Sequence, residues 1–156
     1  MAKTHNRYHY PVDLQKARMT YDESPGHVGA LKHAVDFIVK EGTPVKAAQD
    51  GFVHSIIQNY KLGGPDKDRF YPRANIIDIL HHNVEFSHYG HLLQYSARVK
   101  EGDYVKRGEV IALSGATGWL AHLGPHLHFD VGKLVLNRKL GELEYKTLEI
   151  VFAKAN

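Results

Sequence analysis

Cysteine is absent from this chain of 156 residues, and several kinds of chemistry are absent with it. Without a thiol, the chain forms no disulfide, no thiolate zinc site and no cysteine nucleophile, so any metal must be held by histidine and carboxylate. The chain also lacks an apolar run long enough to span a bilayer, and Met1–Asn6 lacks the apolar stretch of a secretory leader. We therefore expect either an extracellular or periplasmic domain whose leader was removed, or a cytoplasmic or phage-associated protein.

A strong excess of one charge is missing as well, because 20 basic and 17 acidic residues leave a formal net charge of only +3. The basic residues are scattered along the chain, so nucleic acid is not an expected partner. A small positive excess is compatible with binding to anionic surfaces such as cell-wall polymers. The length suits one domain, which we expect to span residues 1–156 with its core at about 26–131 and to be monomeric.

Long helical patterns are the third absence, and short runs of β-forming residues between 14 glycines take their place. Such runs predict a mainly β fold, an antiparallel β-sandwich or barrel-sandwich hybrid with a groove walled by loops. The segment Tyr60–Arg73 predicts a long loop, and Glu142–Phe152 predicts either a further strand or a short helix. Seven strands are expected, at His33–Val39, Gly51–Gln58, Asn75–His81, Val84–Tyr89, Tyr104–Val105, Val110–Leu113 and Leu127–Val131.

Histidine, in contrast, is abundant, and two of the twelve histidines lie in a segment of strict alternation, Gly124–Val131. On a strand, successive side chains point to opposite faces, so His126, His128 and Asp130 share one face. Neutral imidazole is the commonest metal ligand in proteins and also titrates near neutral pH. The alternation therefore predicts a site that combines a metal ligand with an acid–base group.

Two residues elsewhere in the chain are candidates for the same site. Asp36 interrupts an apolar run, and a buried carboxylate needs a partner or a metal because its desolvation is costly. His91 ends a predicted strand at a turn marked by a glycine. Alone, Asp36 would be a turn cap or the partner of a lysine, and His91 a hydrogen-bonding residue at a strand end. The other central histidines are expected to be structural or exposed: His54, His81, His82, His88 and His122.

Several short motifs, taken in order, resemble the lysostaphin/LytM-type zinc endopeptidases, which are peptidoglycan hydrolases of bacterial cell walls. The resemblance covers roughly residues 26–131, and the H-L-H strand and the G-T-P-V hairpin are its most specific parts. The matching pieces are Ala34–Phe37, Glu41–Ala48, Gly51–Val53, Tyr89–Leu92, Val99–Gly108, Ser114–Gly118 and Gly124–Phe129.

The resemblance implies zinc as the cofactor. The sequence departs from the family pattern at one ligand position. Asp36 and His128 would be zinc ligands, but Lys32 stands where the family has its first histidine. A protonated lysine has no lone pair for a metal, so zinc binding would need another residue in its place. His27, in a glycine-rich turn, is the preferred replacement. His33 is the second choice, since on a regular strand it would face away from Asp36, and a lost ligand is the third possibility.

The implied activity is hydrolysis of peptide bonds of peptidoglycan, or of a related peptide, through a metal-activated water. His91 and His126 would be the catalytic histidines, sharing proton transfer and oxyanion stabilisation in a division that stays open. Tyr60–Arg73 is the expected wall of the groove, and Trp119 either lines the groove or packs in the core. The alternative, favoured by Lys32, is a catalytically degenerate member that binds cell wall or a partner and regulates another hydrolase.

Overall fold

The computed structural model describes residues 2–21, 27–119 and 123–154. Its regular structure is almost entirely β, with one α-helical turn, α1 (Lys67–Phe70), and four short 3-10 turns within those residues. None of the helices described is long and apolar enough to cross a membrane. The strands are β1 (Arg18–Thr20), β2 (Val35–Ile38), β3 (Pro44–Lys46), β4 (Gly51–Ile57), β5 (Gly63–Gly64), β6 (Ile76–Leu80), β7 (Phe86–Gly90), β8 (Tyr104–Val105), β9 (Val110–Leu113), β10 (Gly118–Trp119), β11 (His126–Asn137) and β12 (Glu142–Thr147).

One large antiparallel sheet dominates the fold, with strand order β1-β2-β11-β7-β6-β4-β8 and with β12 added to the end of β11. Strands β3 and β9 form a separate antiparallel pair, and β5 and β10 form a short parallel pair. The buried apolar cluster contains residues of both the large sheet and the β3–β9 pair, so the core lies between them. The prediction of a mainly β, antiparallel fold is therefore confirmed.

The strands form where alternation of apolar side chains was visible in the sequence. All seven predicted strands are present, with ends shifted by no more than two residues except at the end of β11. Of the two alternatives for Glu142–Phe152, the strand is correct, because β12 covers Glu142–Thr147. The core cluster also includes Tyr8 and Val12, so chain outside 26–131 contributes to it. The domain limits stay a prediction, and residue 26 lies outside the described residues.

Strand β11 departs most from its prediction, since it continues past Val131 to Asn137. A glycine inside a strand often marks a close approach of another segment, and Gly132 is such a case. A Cβ added there would lie 2.5 Å from the carbonyl oxygen of Lys146 and 2.6 Å from the ring of Tyr145. Strand β12 packs against β11 at this glycine and pairs with it to its end, which extends the strand.

The long loop predicted at Tyr60–Arg73 contains short regular elements, β5, α1 and a 3-10 turn, which the prediction did not include. The side chain of Asp66 caps α1 by accepting a hydrogen bond from the backbone N–H of Arg69 at 3.2 Å. Phe70 is buried against Gly64, where a Cβ would come within 2.5 Å of its ring. A local cap and one buried aromatic ring order a segment whose charges and prolines suggested a loop.

A buried carboxylate anchors the N-terminal segment to the sheet. Glu85 is fully buried and accepts hydrogen bonds from the backbone N–H groups of His5 and Asn6 at 2.5 and 3.3 Å. The hydroxyl of Tyr8 donates a third hydrogen bond to it at 2.8 Å. Because a buried carboxylate is stable only when it is hydrogen-bonded, this cluster holds the segment before β1 against the rest of the fold.

Stability should fall as the pH drops below 6.5, in part because of His81. This buried ring contacts the carbonyl oxygen of Asp50 and the hydroxyl of Ser87, both at 2.7 Å, and burial lowers its pKa below the ordinary 6.5. Below pH 6.5 the histidine is protonated in the unfolded chain before it is protonated in the folded chain. The contribution of His81 to stability is therefore complete above pH 6.5 and is lost as the pH falls below it.

The measurement is the free energy of urea unfolding between pH 5 and 8 for the wild type and for His81→Gln, which keeps a hydrogen-bonding side chain but does not titrate. We expect the wild type to lose more stability than the variant as the pH falls, by about 1.4 kcal/mol for each unit of pKa depression. Equal pH slopes in the two proteins would contradict the prediction.

Candidate metal centre

The open face of the large sheet carries the predicted site, and the register of three strands assembles it. On β11, His128 lies opposite Asp36 of β2 on one side and opposite Gly90 of β7 on the other. Apolar residues at the intervening positions, such as Leu127 and Phe129, point into the core and are fully buried. The alternation in the sequence therefore separates the site from the core, as expected for a strand.

Three side chains converge at this face. The Nε2 atom of His27 lies 3.1 Å from Oδ1 of Asp36, and Nδ1 of His128 lies 3.6 Å from the same oxygen. One donor atom from each of the three residues falls within 4.8 Å of the others. All three side chains are largely shielded from solvent. A histidine from the chain before β2, a carboxylate from β2 and a histidine from β11 thus form one cluster.

The other nitrogen of each imidazole is already committed to an acceptor. Nδ1 of His27 donates to the carbonyl oxygen of Tyr21 at 2.6 Å, and Nε2 of His128 is 2.8 Å from Oδ2 of Asp130. When those nitrogens carry the hydrogens, each neutral ring directs a lone pair at Asp36. Lone pairs that face a carboxylate need a cation between them, either protons or a metal. Two imidazoles and one carboxylate are a donor set that suits zinc.

Electrostatics at the cluster favour an ionised carboxylate. Burial alone would raise the pKa of Asp36, but the hydrogen bonds from His128 and His27, together with charge interactions with His126 and His128, outweigh it and hold this pKa well below its ordinary range. Burial likewise lowers the pKa of His128, whereas its contacts with Asp130 and Asp36 raise it to about 9. A proton on His128 and a metal ion therefore compete for the same place beside Asp36, since a metal ligand must be deprotonated.

A second pair of histidines lies beside the cluster. The ring centroids of His91 and His126 are 4.5 Å apart, and that of His91 is 6.1 Å from His128. Nδ1 of His91 donates to the carbonyl oxygen of Thr117 at 2.6 Å, and Nδ1 of His126 donates to that of Gly124 at 2.9 Å. In both neutral rings Nε2 is consequently the nitrogen with the lone pair.

His91 is held neutral in an uncommon backbone conformation. Burial, together with the nearby His126 and His128, lowers its pKa to about 3. Its φ of 61° is in the left-handed region, which side chains other than glycine rarely adopt and which occurs often at functional sites. The hydrogen bond from the backbone N–H of Gly115 to the carbonyl oxygen of His91 helps to hold this turn.

A groove of about 280 Å³ opens over these side chains. Tyr71, from the 3-10 turn after α1, and Trp119, on β10, line it together with all five candidate residues. The indole N–H of Trp119 donates to the carbonyl oxygen of Pro65 at 3.1 Å, and the ammonium group of Lys67 lies 5.0 Å from the indole ring. Of the two alternatives for Trp119, the structure places it on the groove, and Tyr60–Arg73 supplies part of the wall.

The structure places His27, and not His33, beside Asp36. Strand β2 begins only at Val35, so His33 precedes the strand, and its backbone N–H bonds to the hydroxyl of Thr147 at 3.1 Å. His33 lines a different cavity, and no potential metal-binding group within the described residues includes it. The geometry thus favours the first choice for the third ligand, although the ligand role itself stays a prediction.

Sequence reasoning missed a second set of polar residues behind the cluster. His88, which was expected to be structural or exposed, has its Nδ1 2.5 Å from Oδ1 of Asp78. Tyr145 donates a hydrogen bond to Asp130 at 2.5 Å. A polar residue at the centre of a short apolar strand, as in Ile76–Leu80, was the available signal. Another of the remaining histidines, at position 122, lies outside the described residues.

Comparison with known proteins was made at the level of sequence families and of single relatives. The pattern described as Peptidase family M23 matches residues 30–140, a range that begins just after His27. Lysostaphin of Staphylococcus simulans is 37% identical over 132 residues, which are 83% of this chain and 24% of the relative. Peptidoglycan DD-endopeptidase ShyB of Vibrio cholerae is 35% identical over 141 residues, 86% of this chain and 29% of the relative. The chain thus spans about a quarter of the length of these relatives.

Solved structures give the same picture. A zinc-containing peptidase from Vibrio cholerae superposes with a TM-score of 0.63 at 28% identity, covering 97% of this chain and 41% of the other. The catalytic domain of lysostaphin from Staphylococcus simulans has a TM-score of 0.51 at 30% identity and covers 83% of this chain and 79% of that domain.

Zinc content should distinguish His27 from His33. We expect close to one zinc per chain in the wild type and in His33→Ala, and little zinc in His27→Ala, because only His27 reaches the cluster at Asp36. Elemental analysis of protein purified without a histidine tag and dialysed against a weak chelator measures this. Zinc lost from His33→Ala and retained in His27→Ala would reverse the assignment.

Proposed function

The chain belongs to peptidase family M23, and on that premise we propose that it is a zinc-dependent endopeptidase that hydrolyses peptide bonds of peptidoglycan. One observation carries the proposal: the convergence of His27, Asp36 and His128 on the groove that also holds the His91–His126 pair. Three protein ligands of this kind leave a fourth zinc position open, which is the arrangement of catalytic rather than structural zinc sites. A bound zinc ion would supply Lewis acidity and would lower the pKa of water to about 7.

Proton transfer is assigned to the histidine pair. In the neutral state, Nε2 of His91 and Nε2 of His126 are both acceptors, because each Nδ1–H is bound to a carbonyl oxygen. His91, whose pKa is about 3, holds a proton poorly, so we assign to it the orientation of the attacking water. His126 Nε2 then takes the proton of the water and delivers it to the leaving amine.

The hydrogen bonds to the two carbonyl oxygens fix the orientation of these rings for proton transfer. A ring whose Nδ1–H is hydrogen-bonded to a backbone carbonyl does not flip readily, so its Nε2 stays directed away from that acceptor. Both acceptors belong to irregular connections between strands: Thr117 follows β9, and Gly124 precedes β11. Orientation of reacting groups in this way reduces the entropy that must be lost on reaching the transition state.

The groove and the relatives together support a peptide of the cell wall as substrate. ShyB is named a peptidoglycan DD-endopeptidase, and a relative from Staphylococcus capitis, 38% identical over 104 residues, is named a glycyl-glycine endopeptidase. The aromatic rings of Tyr71 and Trp119 form a wall against which an extended peptide can lie. We propose a peptide bond of the stem or of the cross-bridge as the one that is cut.

The degenerate alternative, a protein that binds cell wall and regulates another hydrolase, was suggested by Lys32. His27 lies 3.1 Å from Asp36, so a histidine is available as the ligand that Lys32 cannot provide. The alternative therefore loses its main support, and activity measurements distinguish it directly.

Activity and zinc content should separate the two pairs of residues. We expect His128→Ala to lose both zinc and hydrolysis, because it removes a proposed ligand. His126→Ala should keep zinc and lower the rate by about 10²- to 10⁴-fold, the usual contribution of a general acid–base group. His82→Ala, which changes an exposed histidine, is the matched control and should resemble the wild type. The readouts are peptide products from purified peptidoglycan, resolved by mass spectrometry, and zinc by elemental analysis.

A wild-type protein that holds one zinc ion but releases no product from peptidoglycan or from glycine-rich peptides would favour the degenerate alternative. An active His128→Ala variant would contradict the assignment of the metal ligands.

A further inference from the structure

A row of polar side chains crosses four strands next to His128. Ser55 on β4 pairs with Asp78 on β6, Asp78 pairs with His88 on β7, and His88 pairs with Asp130 on β11. We call these four residues the polar row. Directly opposed positions on neighbouring strands bring side chains on one face within contact distance.

Hydrogen bonds connect the polar row at both ends. The Ser55 hydroxyl donates to Oδ2 of Asp78 at 2.7 Å, and His88 Nδ1 lies 2.5 Å from Oδ1 of the same carboxylate. At the other end, Asp130 has one oxygen 2.8 Å from His128 Nε2 and receives the Tyr145 hydroxyl on the other at 2.5 Å. Each of the four carboxylate oxygens therefore has a protein partner.

This closed network argues against a second metal site. Donor atoms of His88, His128 and Asp130 do lie within 4.8 Å of one another. A cation there would need Nε2 of His128 as a ligand, on the ring whose Nδ1 faces Asp36, and would break the hydrogen bond between His128 and Asp130. A buried and fully partnered carboxylate is better explained as an acceptor that orients its neighbour.

The two nitrogens of His128 have different surroundings, and this difference determines what Asp130 can do. Nδ1 lies 3.6 Å from Oδ1 of Asp36, on the side of the proposed metal. Nε2 faces Asp130, which is 0% exposed, so bulk solvent does not reach this carboxylate. A carboxylate can only accept, so it selects the tautomer of His128 with hydrogen on Nε2 and the lone pair on Nδ1.

We propose that Asp130 is the positioning residue of the metal centre, holding Nε2–H of His128 so that Nδ1 is presented to the metal. Tyr145 holds the Asp130 carboxylate in turn by its hydrogen bond, and His88 lies opposite Asp130 on the neighbouring strand. The inference rests on the proposed function, in that His128 is taken to be a zinc ligand. Carboxylates that bind the second nitrogen of a ligating histidine fix its orientation and raise its basicity.

The pairing of β12 with the second half of β11 brings Tyr145 to Asp130. Tyr145 lies on β12, which pairs with β11 only from Gly132 onward. The absence of a side chain at Gly132 leaves room for the Tyr145 ring, which a Cβ would approach within 2.6 Å. The ring thus lies close against the β11 backbone, and its hydroxyl reaches Asp130 two residues earlier in the strand.

The test is zinc affinity in Asp130→Asn, measured on the full chain by competition with a chromogenic chelator. The amide keeps the size of the carboxylate but loses its charge and one acceptor oxygen, so it cannot accept from both His128 and Tyr145. We expect zinc to bind about 10- to 100-fold more weakly. Nitrogen-15 NMR of the His128 ring gives a second readout, with both proteins metal-free and at the same pH, chosen so that the ring is neutral: we expect the single Nε2–H tautomer in the wild type and a mixture of tautomers in Asp130→Asn.

Glu85→Gln is the matched control, since Glu85 is equally buried and also receives a tyrosine hydroxyl. We expect this variant to lose unfolding stability but to bind zinc as the wild type does. Tyr145→Phe removes a single donor to Asp130 and should weaken zinc binding by about 2- to 10-fold. It keeps the test decisive if Asp130→Asn does not fold.

The outcomes separate this inference from the proposed function. Suppose that the wild type binds zinc. If the zinc affinity of Asp130→Asn is within 2-fold of the wild-type value, or falls no more than that of Glu85→Gln, the inference is wrong and the proposed function stands. Unchanged zinc affinity in Tyr145→Phe overturns it in the same way when Asp130→Asn is not obtained folded. If the wild type binds no zinc, both fall together.

Discussion

The register of β11 between β2 and β7 is the constraint on which the candidate metal centre depends. It places His128 opposite Asp36 and Asp130 opposite His88, and it turns Leu127 and Phe129 into the core. A slip by one residue would exchange the two faces, burying imidazoles and exposing aromatic rings. The apolar face therefore determines the register, and the register brings the polar face together. Gly90 completes the arrangement, because a Cβ there would lie 3.3 Å from that of His128.

The polar face is stabilised only as a connected whole. Asp36 and Asp130 are both buried carboxylates, and each is stable because histidines or a tyrosine hydroxyl contact it. Removing one partner of a buried ion pair costs about 3–5 kcal/mol, since the other charge stays desolvated. His128 contacts both carboxylates, which makes it the residue that links the cluster at the groove to the network behind it. The position of His128 between Asp36 and Asp130 thus accounts both for the orientation of its ring and for the cation, proton or metal, that is needed beside Asp36.

Much of the fold and of the cluster was predictable because β structure has a period of two. In Phe86–Gly90 and Gly124–Val131, alternation alone indicates which side chains share a face, and the strands follow it. Two features were not predictable in this way. Gly132 looked like the end of a strand, whereas it makes room for Tyr145 of β12, and Tyr60–Arg73 looked like a loop although Asp66 caps a helical turn in it. The first depends on a contact between two strands; in the second the Asp66 cap is local, but the segment is also held by the pairing of β5 with the distant β10.

The sequence by itself determined the mainly β architecture, the shared face of His126, His128 and Asp130, and the exclusion of any thiolate metal site. Three features were decided by the tertiary structure: that His27 rather than His33 reaches Asp36, that Trp119 lines the groove, and that Asp78, His88 and Tyr145 lie near His128 on the same face. The physical reason is distance along the chain. Alternation relates residues within one strand, but Asp36, His88 and His128 meet only because hydrogen-bonded pairing sets three strands side by side.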